Sequence, residues 1–225
     1  MRPIRASLNL AALRNNLQVV RRHAPHSRIW AVVKADAYGH GLLRLLPGLQ
    51  AADGLALLEL DGAMALRAAG ETRPILMLEG FFESGELPEF ARHGLHSVVH
   101  CLDQLQMLEA ARLAAPIAPI DVCVKFNTGM NRLGFAPADA PAVLARLRNC
   151  ANVAGITFMT HFADADGDRG VAASMAVVEG IGGAIEGLPR TMANSAAILR
   201  FAQTHGDWVR PGIMLYGCTP FGDDV

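Results

Sequence analysis

The residues able to do chemistry in this chain of 225 residues cluster just past short apolar runs. Lys34 closes the run Ile29–Lys34, and Tyr38 follows four residues on. Lys125 stands near the end of Ile120–Phe126, with Thr128 and Arg132 behind it. His161 follows Val153–Thr160, and Asn194 and Ser195 follow Arg190–Met192. Arg210 ends Trp208–Arg210, ahead of Gly212 and Ile213. If each run is a strand, these positions are strand ends. Cations, hydroxyls, an imidazole and amides exposed by glycine then meet at one mouth, a combination suited to an anionic, phosphate-bearing ligand. A lysine held at a partly buried strand end loses hydration, which frees its amine for Schiff-base chemistry.

Each residue alone also has a plainer reading. Lys34 could snorkel out of a barrel rim. Tyr38 could be a rim aromatic, Arg132 a surface cation and His161 a hydrogen-bonded core histidine. Asn194-Ser195 could cap a helix, and could be cap and ligand together. His40, Asp164 and Asp166 read as exposed or supporting residues. The acidic group Asp164–Asp168 lacks the further ligands a calcium loop needs. Gly180-Ile181-Gly182-Gly183 lacks both the Walker lysine and the dinucleotide spacing, and reads as a small-residue helix face.

Strand ends can converge only if the strands form one sheet. Asn9 can cap a helix with Leu10, Leu13, Leu17 and Val20 at helical spacing. Beyond it, strand-like runs at Ile29–Lys34, Gly54–Leu60, Pro74–Leu78, His96–His100, Ile120–Phe126, Val153–Thr160, Arg190–Met192 and Trp208–Arg210 alternate with helix-like segments. Leu102–Leu113, Pro137–Arg148 and Val171–Gly187 are the clearest of these segments. Such alternation implies right-handed crossovers and a parallel sheet. Eight strands close a barrel, so the expected fold class is α/β, a (β/α)8 TIM-type barrel. A doubly wound open sheet is the alternative.

Composition agrees. A hydrophobic fraction of 52% against 18% charged residues can build a sizeable core rather than a disordered chain. With 20 basic and 21 acidic residues, no basic excess calls for nucleic acid or an anionic membrane surface. Cys101, Cys123, Cys150 and Cys218 form no CxxC pair and read as reduced thiols of a cytoplasmic protein. The early arginines lack the apolar stretch of a signal peptide behind them, and no run is long enough to span a bilayer.

The segments AVVKADAYGHG, KFNTGMNRLGF, MTHFADAD, ANSAA and RPGIMLYG resemble, in order and spacing, the motifs of the alanine racemase family. The resemblance runs from Ile4 to about Gly217. It implies that Lys34 binds pyridoxal 5'-phosphate as a Schiff base and serves as one of two catalytic bases. It also implies that Tyr38, Ser195 and the amides of Gly212 and Ile213 hold the phosphate, with Asn194 supporting the turn. Arg210 would donate to the pyridine nitrogen, His161 would line the cofactor and position Arg210, and Arg132 would face the substrate carboxylate. Lys125 would be open to carbamylation and pair with Arg132. Asn127 stands where the family commonly has Asp.

The implied activity is interconversion of L- and D-alanine, supplying D-alanine for peptidoglycan, in a cytoplasmic homodimer. Residues 1–217 would be the cofactor-binding barrel, and 218–225 would begin a linker to a β-rich second domain. That domain would bring the second base, a tyrosine from the partner subunit, so residues 1–225 by themselves are expected to be inactive. Two other readings stay open. One is a small single-domain pyridoxal-phosphate carrier, which the length favours but the motifs do not. The other is a racemase of another amino acid.

Overall fold

The computed structural model describes residues 3–113 and 118–222. Helix α1 (Leu10–His23) leads into β1 (Arg28–Val32), the short segments α2 (Lys34–Gly39) and α3 (Leu42–Leu45), then β2 (Gly54–Leu57) and α4 (Leu60–Ala68). There follow β3 (Ile75–Met77), α5 (Leu87–Arg92), β4 (Leu95–Val99), α6 (Leu102–Ala110), β5 (Ile120–Lys125) and α7 (Ala140–Asn149). The series ends with β6 (Val153–Met159), α8 (Ala172–Ile181), β7 (Arg190–Thr191), α9 (Ser195–Arg200) and β8 (Trp208–Val209). Every strand pairs in parallel with its neighbours, and β8 returns to β1 through Arg28–Trp208 and Ile29–Val209, so the sheet is a closed barrel. The (β/α)8 expectation holds.

Two apolar clusters follow from the strand period of two. On β1 and the residue after it, Ile29, Ala31 and Val33 pack outward against the helices, whereas Trp30 and Val32 belong to a separate cluster with Ala56, Leu76, Val98, Cys123, Met159 and Trp208. That second set is the filling of the barrel. Trp30 and Trp208 stack at 4.0 Å between ring centroids and form its floor. Helix α1 covers the barrel wall with Leu13, Leu17 and Val20. Its start is fixed as its sequence predicts: Asn9 Oδ1 accepts from the amides of Ala11 and Ala12, both at 3.0 Å.

Element boundaries shift for local reasons. The helix expected over Leu102–Leu113 stops at Ala110, because Ala111 turns to φ −60°, ψ 135°. The Val171–Gly187 segment breaks at Gly182, whose φ of +52° no right-handed helix accepts, and ends in a 3-10 turn over Gly182–Ile185. Pro137–Asp139 is likewise a 3-10 turn before α7. The expected strands overran the ladder by up to three residues, and β1 ends at Val32 rather than at Lys34. Gly54 must stay bare, since a Cβ there would overlap the Trp30 ring and the Pro74 carbonyl. Gly54→Ala should lower unfolding stability by about 1–3 kcal/mol, the usual cost of overpacking a tight core. Urea titration followed by tryptophan fluorescence checks it, and an unchanged midpoint would count against the floor as drawn.

Candidate active site

The mouth of the barrel is the next inward layer above its filling. Two residues beyond Val32, Ala56, Leu76, Cys123, Met159 and Trp208 come Lys34, Leu58, Leu78, Lys125, His161 and Arg210, and all six line one cavity of about 360 Å³. The cavity lies at the C-terminal ends of the strands, where barrels of this type carry their sites. Every residue expected at the site borders it.

Arg210 is buried, with 4% of its surface exposed. Its Nη1 donates to Thr191 Oγ1 (2.7 Å), and its Nη2 to the carbonyls of Thr160 (2.6 Å) and Met192 (3.1 Å). Nη2 also lies 3.4 Å from His161 Nδ1. All of these partners are neutral, and no carboxylate pairs with Arg210 among the described residues. Burial therefore pushes the guanidinium down to about 10, which leaves it fully charged near neutrality. A buried cation tied only to neutral acceptors is an electrostatic demand for a hydrogen-bond acceptor in the cavity beside it.

His161 meets the reverse demand. Burial first, then the charges of Arg210, Lys125, Arg132 and Lys34, push its imidazole down to about 3. The ring is neutral, and Nδ1, facing a permanent donor, has to be the acceptor. Lys125, 5% exposed, is pushed down to about 8 by burial and by Arg210, Arg132 and Lys34, with Glu79 pulling the other way.

Lys34 and Tyr38 are set by a left-handed turn. Ala35, Asp36, Ala37 and Tyr38 hold φ between 51° and 55° and ψ between 37° and 54°, which is αL geometry. L-residues there cost roughly 1–2 kcal/mol each. The turn is held in compensation: Ala37 N–H donates to Val33 O (2.9 Å), Asp36 Oδ1 accepts from Leu42 N–H (2.7 Å), and Ala37 is fully buried. The reversed hand folds the chain back, so that Lys34 and Tyr38 border the same cavity, with Lys34 Nζ 6.0 Å from the Tyr38 ring.

Tyr38 reaches the opposite lip. A Cβ on Gly212 would lie 2.5 Å from Tyr38 Oη, so glycine is required for that approach. Ser195 Oγ accepts from the amides of Gly212 (2.9 Å) and Met214 (3.4 Å). A hydroxyl that accepts twice still has its own hydrogen to give to a ligand. The Gly212 amide is thus committed to Ser195, and Ile213 stands at the rim with 39% exposure. Asn194 caps α9 through Oδ1 to Ala197 N–H (3.0 Å) and donates from Nδ2 to Phe162 O (3.2 Å), while also bordering the cavity. Tyr216 is fixed by packing: its hydroxyl donates to Val32 O (2.8 Å), its ring lies 4.5 Å from that of Tyr38, and burial pushes the phenol up.

Arg132 is carried by a cross-linked loop. Asn127 N–H donates to Phe135 O and Phe135 N–H to Lys125 O, both at 2.9 Å. Asn127 Oδ1 accepts from Gly129 and Asn131 amides, and its Nδ2 donates to Asn131 Oδ1 at 2.8 Å. Asn127 therefore acts as the loop's internal brace. A Cβ on Gly134 would come within 2.6 Å of the Asn127 nitrogen, so that position is closed to other residues. Thr128 Oγ1 meets Thr160 Oγ1 at 2.7 Å and ties the loop to β6.

Some lining residues carry little sequence signal. Leu58, Leu78 and Met159 could have been found by extending the inward alternation by one step. Thr191 and Thr160 become significant only through Arg210, and Glu79 and Thr219 follow no pattern. Asp166, read as exposed or supporting, is exposed but also borders the cavity. Asp164 pairs with Arg169 at 2.9 Å instead of joining an acidic loop. Together the donors suit a ligand with a phosphate near Ser195 and Tyr38 and an acceptor against Arg210.

Two outcomes follow. Ala35 is exposed at φ +51°, so Ala35→Gly should stabilise the protein by roughly 0.5–1 kcal/mol, the αL relief less the entropy of a freer unfolded chain. Ala35→Val should destabilise it, and equal urea midpoints for the three proteins would contradict the left-handed turn. His161 binds its proton far more weakly folded than unfolded, so the stability linked to it is present above about pH 6.5 and is lost as pH falls toward about 3. His161→Gln should flatten that acid-side slope in unfolding curves; an unaltered slope would mean that the ring is solvated.

Comparisons with known proteins agree with this geometry. The family model described as alanine racemase, N-terminal domain, matches residues 8–220. Alanine racemase from Burkholderia mallei is 53% identical over 98% of this chain and 61% of that protein. The Nitrosospira multiformis alanine racemase is 54% identical over 97% of this chain and 61% of its own length. The solved biosynthetic alanine racemase from Pseudomonas aeruginosa superposes with a TM-score of 0.91 at 39% identity, covering 99% of this chain and 62% of that one. The chain thus spans about three fifths of the length of these relatives. Matched along nearly all its length in sequence and in barrel geometry, this chain belongs to the alanine racemase N-terminal domain family.

Proposed function

We propose that this barrel is the cofactor-binding part of a pyridoxal-phosphate-dependent alanine racemase, interconverting L- and D-alanine. The observation that carries the reading is the buried, carboxylate-free guanidinium of Arg210, set across the same cavity as Lys34. The residues fit the group. Lys34 would bind it covalently, Arg210 would face the pyridine nitrogen, and Ser195 Oγ–H, Tyr38 and the Gly212–Ile213 turn would hold the phosphate, with Asn194 fixing that turn. When bound, pyridoxal phosphate supplies a conjugated sink for negative charge at Cα.

The chain's own residues do the rest. Arg210, at about 10, stays charged near neutrality, so it would donate a hydrogen bond to the pyridine nitrogen without giving up its proton. His161 holds the Arg210 fork from the side. Arg132 binds the substrate carboxylate at the mouth. Lys125, open to carbamylation, would turn from a like charge into a partner for Arg132. Lys34 takes or returns the Cα proton on one face.

Racemisation needs a group on the other face as well. Tyr38 is committed to phosphate and Tyr216 to Val32 O. We assign the second base to a tyrosine of a partner subunit, outside residues 1–225, in a cytoplasmic homodimer that supplies D-alanine for peptidoglycan. Among the described residues, no helix is long and apolar enough to cross a membrane, and all four cysteines are free.

The test is borohydride reduction with pyridoxal phosphate, then peptide mapping, alongside polarimetry of L-alanine. The label should sit on Lys34, with racemisation lower by on the order of 10²–10⁴-fold in the 225-residue chain than in a protein extended through the second domain. Label elsewhere, or equal turnover by the two proteins, would refute the assignment.

A further inference from the structure

The guanidinium of Arg132 has nothing of its own to aim it. The residue is exposed on the loop past β5, and among the described residues no hydrogen bond or ion pair holds its side chain. Its direction is therefore inherited from the backbone. Asn131, the residue before it, holds φ +57°, and Gly129 and Gly134 hold +126° and +124°. A left-handed residue other than glycine is kept in place only by the contacts around it. The bonds of Asn127 to Gly129 and Asn131 lie within the loop and fix its shape. They do not fix where the loop sits over the barrel.

Two buried hydroxyls do that. Thr128 is 3% exposed and Thr160 fully buried, and neither side chain lines the cavity. Thr160 Oγ1 donates its hydrogen to Phe126 O at 3.0 Å. The 2.7 Å contact between Thr128 Oγ1 and Thr160 Oγ1 must then run the other way, with Thr128 as the donor. The β5–β6 ladder pairs Lys125 with Met159, and Phe126 N–H donates to Met159 O at 3.0 Å. The hydroxyl pair carries the connection on by side chains where this backbone pairing stops. Thr160 has a second task through its main chain. Its carbonyl accepts from Arg210 Nη2 at 2.6 Å, and its amide donates to Thr191 O at 3.3 Å. One residue thus holds Arg210 with its backbone and the Arg132 loop with its side chain. Hydroxyls this deep are costly unless bonded, and here each one is.

We propose that Thr128 and Thr160 are positioning residues that set Arg132 against Arg210, so that what one grips at the mouth stays in register with what the other holds at depth. The inference rests on the reading above, in which Arg132 binds the substrate carboxylate and Arg210 faces the pyridine nitrogen. The pair touches neither ligand. It fixes the spacing and angle of the two cations. A carboxylate is held by charge and by geometry, and a loosened loop keeps the charge but loses the geometry. That grip exists before the proton moves as well as during its transfer, so its loss belongs to KM more than to kcat.

The first measurement needs neither cofactor nor substrate. Trypsin cuts after Arg132 when the loop opens locally. In Thr128→Val, cleavage between Arg132 and Leu133 should rise roughly three- to tenfold, the change in open population that one hydrogen bond is worth. Cleavage after Arg169, whose side chain is already 85% exposed, should not change. Nor should cleavage after Arg67, which α4 holds through bonds to the carbonyls of His93, Glu71 and Arg73. Thr160→Val should open the loop further, and Thr160→Ser should match wild type because it keeps the hydroxyl. The Thr128→Val, Thr160→Val double variant should be cut no faster than Thr160→Val, since both changes remove one shared contact. In the second measurement, the same variants of a protein extended through the second domain racemise alanine. KM for both enantiomers should rise roughly three- to tenfold in Thr128→Val with kcat nearly unchanged, and Thr160→Ser should keep the wild-type KM. Three results would each overturn the proposal: an equal rise in cleavage at Arg67, valine effects that simply add, or faster cleavage at Arg132 with an unchanged KM. Arg132→Lys is the control for the reading beneath it, because lysine keeps the charge without the fork. An unchanged KM in that variant would overturn the carboxylate role of Arg132 instead, leaving the cleavage ratios to decide the anchoring by the two threonines.

Discussion

The guanidinium of Arg210 is the interaction on which most of this structure depends. Strands β7 and β8 have only two residues each and meet through a single residue pair, Thr191 with Trp208. Backbone pairing alone is thin at that seam. Arg210 spans it, with donors to the end of β6 at Thr160, to β7 at Thr191 and to Met192 just beyond. The side chain that closes the barrel is therefore the one whose charge organises its mouth. Removing it would open the seam and discharge the site at once, so fold and function cannot be separated at this position.

The charge balance of the mouth follows from that cation. Lys34, Lys125, Arg132 and Arg210 all border the cavity, and His161 is kept neutral among them. Such a site is tuned for an anion, but its crowding makes every further cation costly to hold. Neutral imidazole, hydroxyl and amide donors then do what more lysines and arginines could not: they offer hydrogen bonds without adding repulsion. Ser195 illustrates this, because the amides of Gly212 and Met214 point its remaining hydrogen outward at no charge cost.

Much of this was legible in the chain because it follows period two. Trp30, Val32 and Lys34 are successive inward positions of one strand direction, as are Cys123 with Lys125 and Trp208 with Arg210, and the same step identifies His161 behind Met159. Asn9 and Asn194 announced their helices by capping chemistry. Other features had no local signature. Nothing in Ala35-Asp36-Ala37-Tyr38 forbids an ordinary right-handed turn, and its hand is decided by Val33, Leu42 and the burial of Ala37. Helices α4 and α5 were obscured by Gly62 and Pro88, and the value of Thr191 lies entirely in an arginine 19 residues away.

The left-handed turn has a consequence in stereochemistry. At Ala35 and Ala37 the backbone sits where the mirror-image amino acid would rest without strain, since a D-residue has its helical minimum at positive φ. A chain assembled chemically with D-alanine at those two places would trace the same path as the ribosomal one with less internal opposition. For these few residues beside Lys34, the handedness of the building blocks and that of the structure they form are opposed, and the tertiary contacts around the turn decide the outcome.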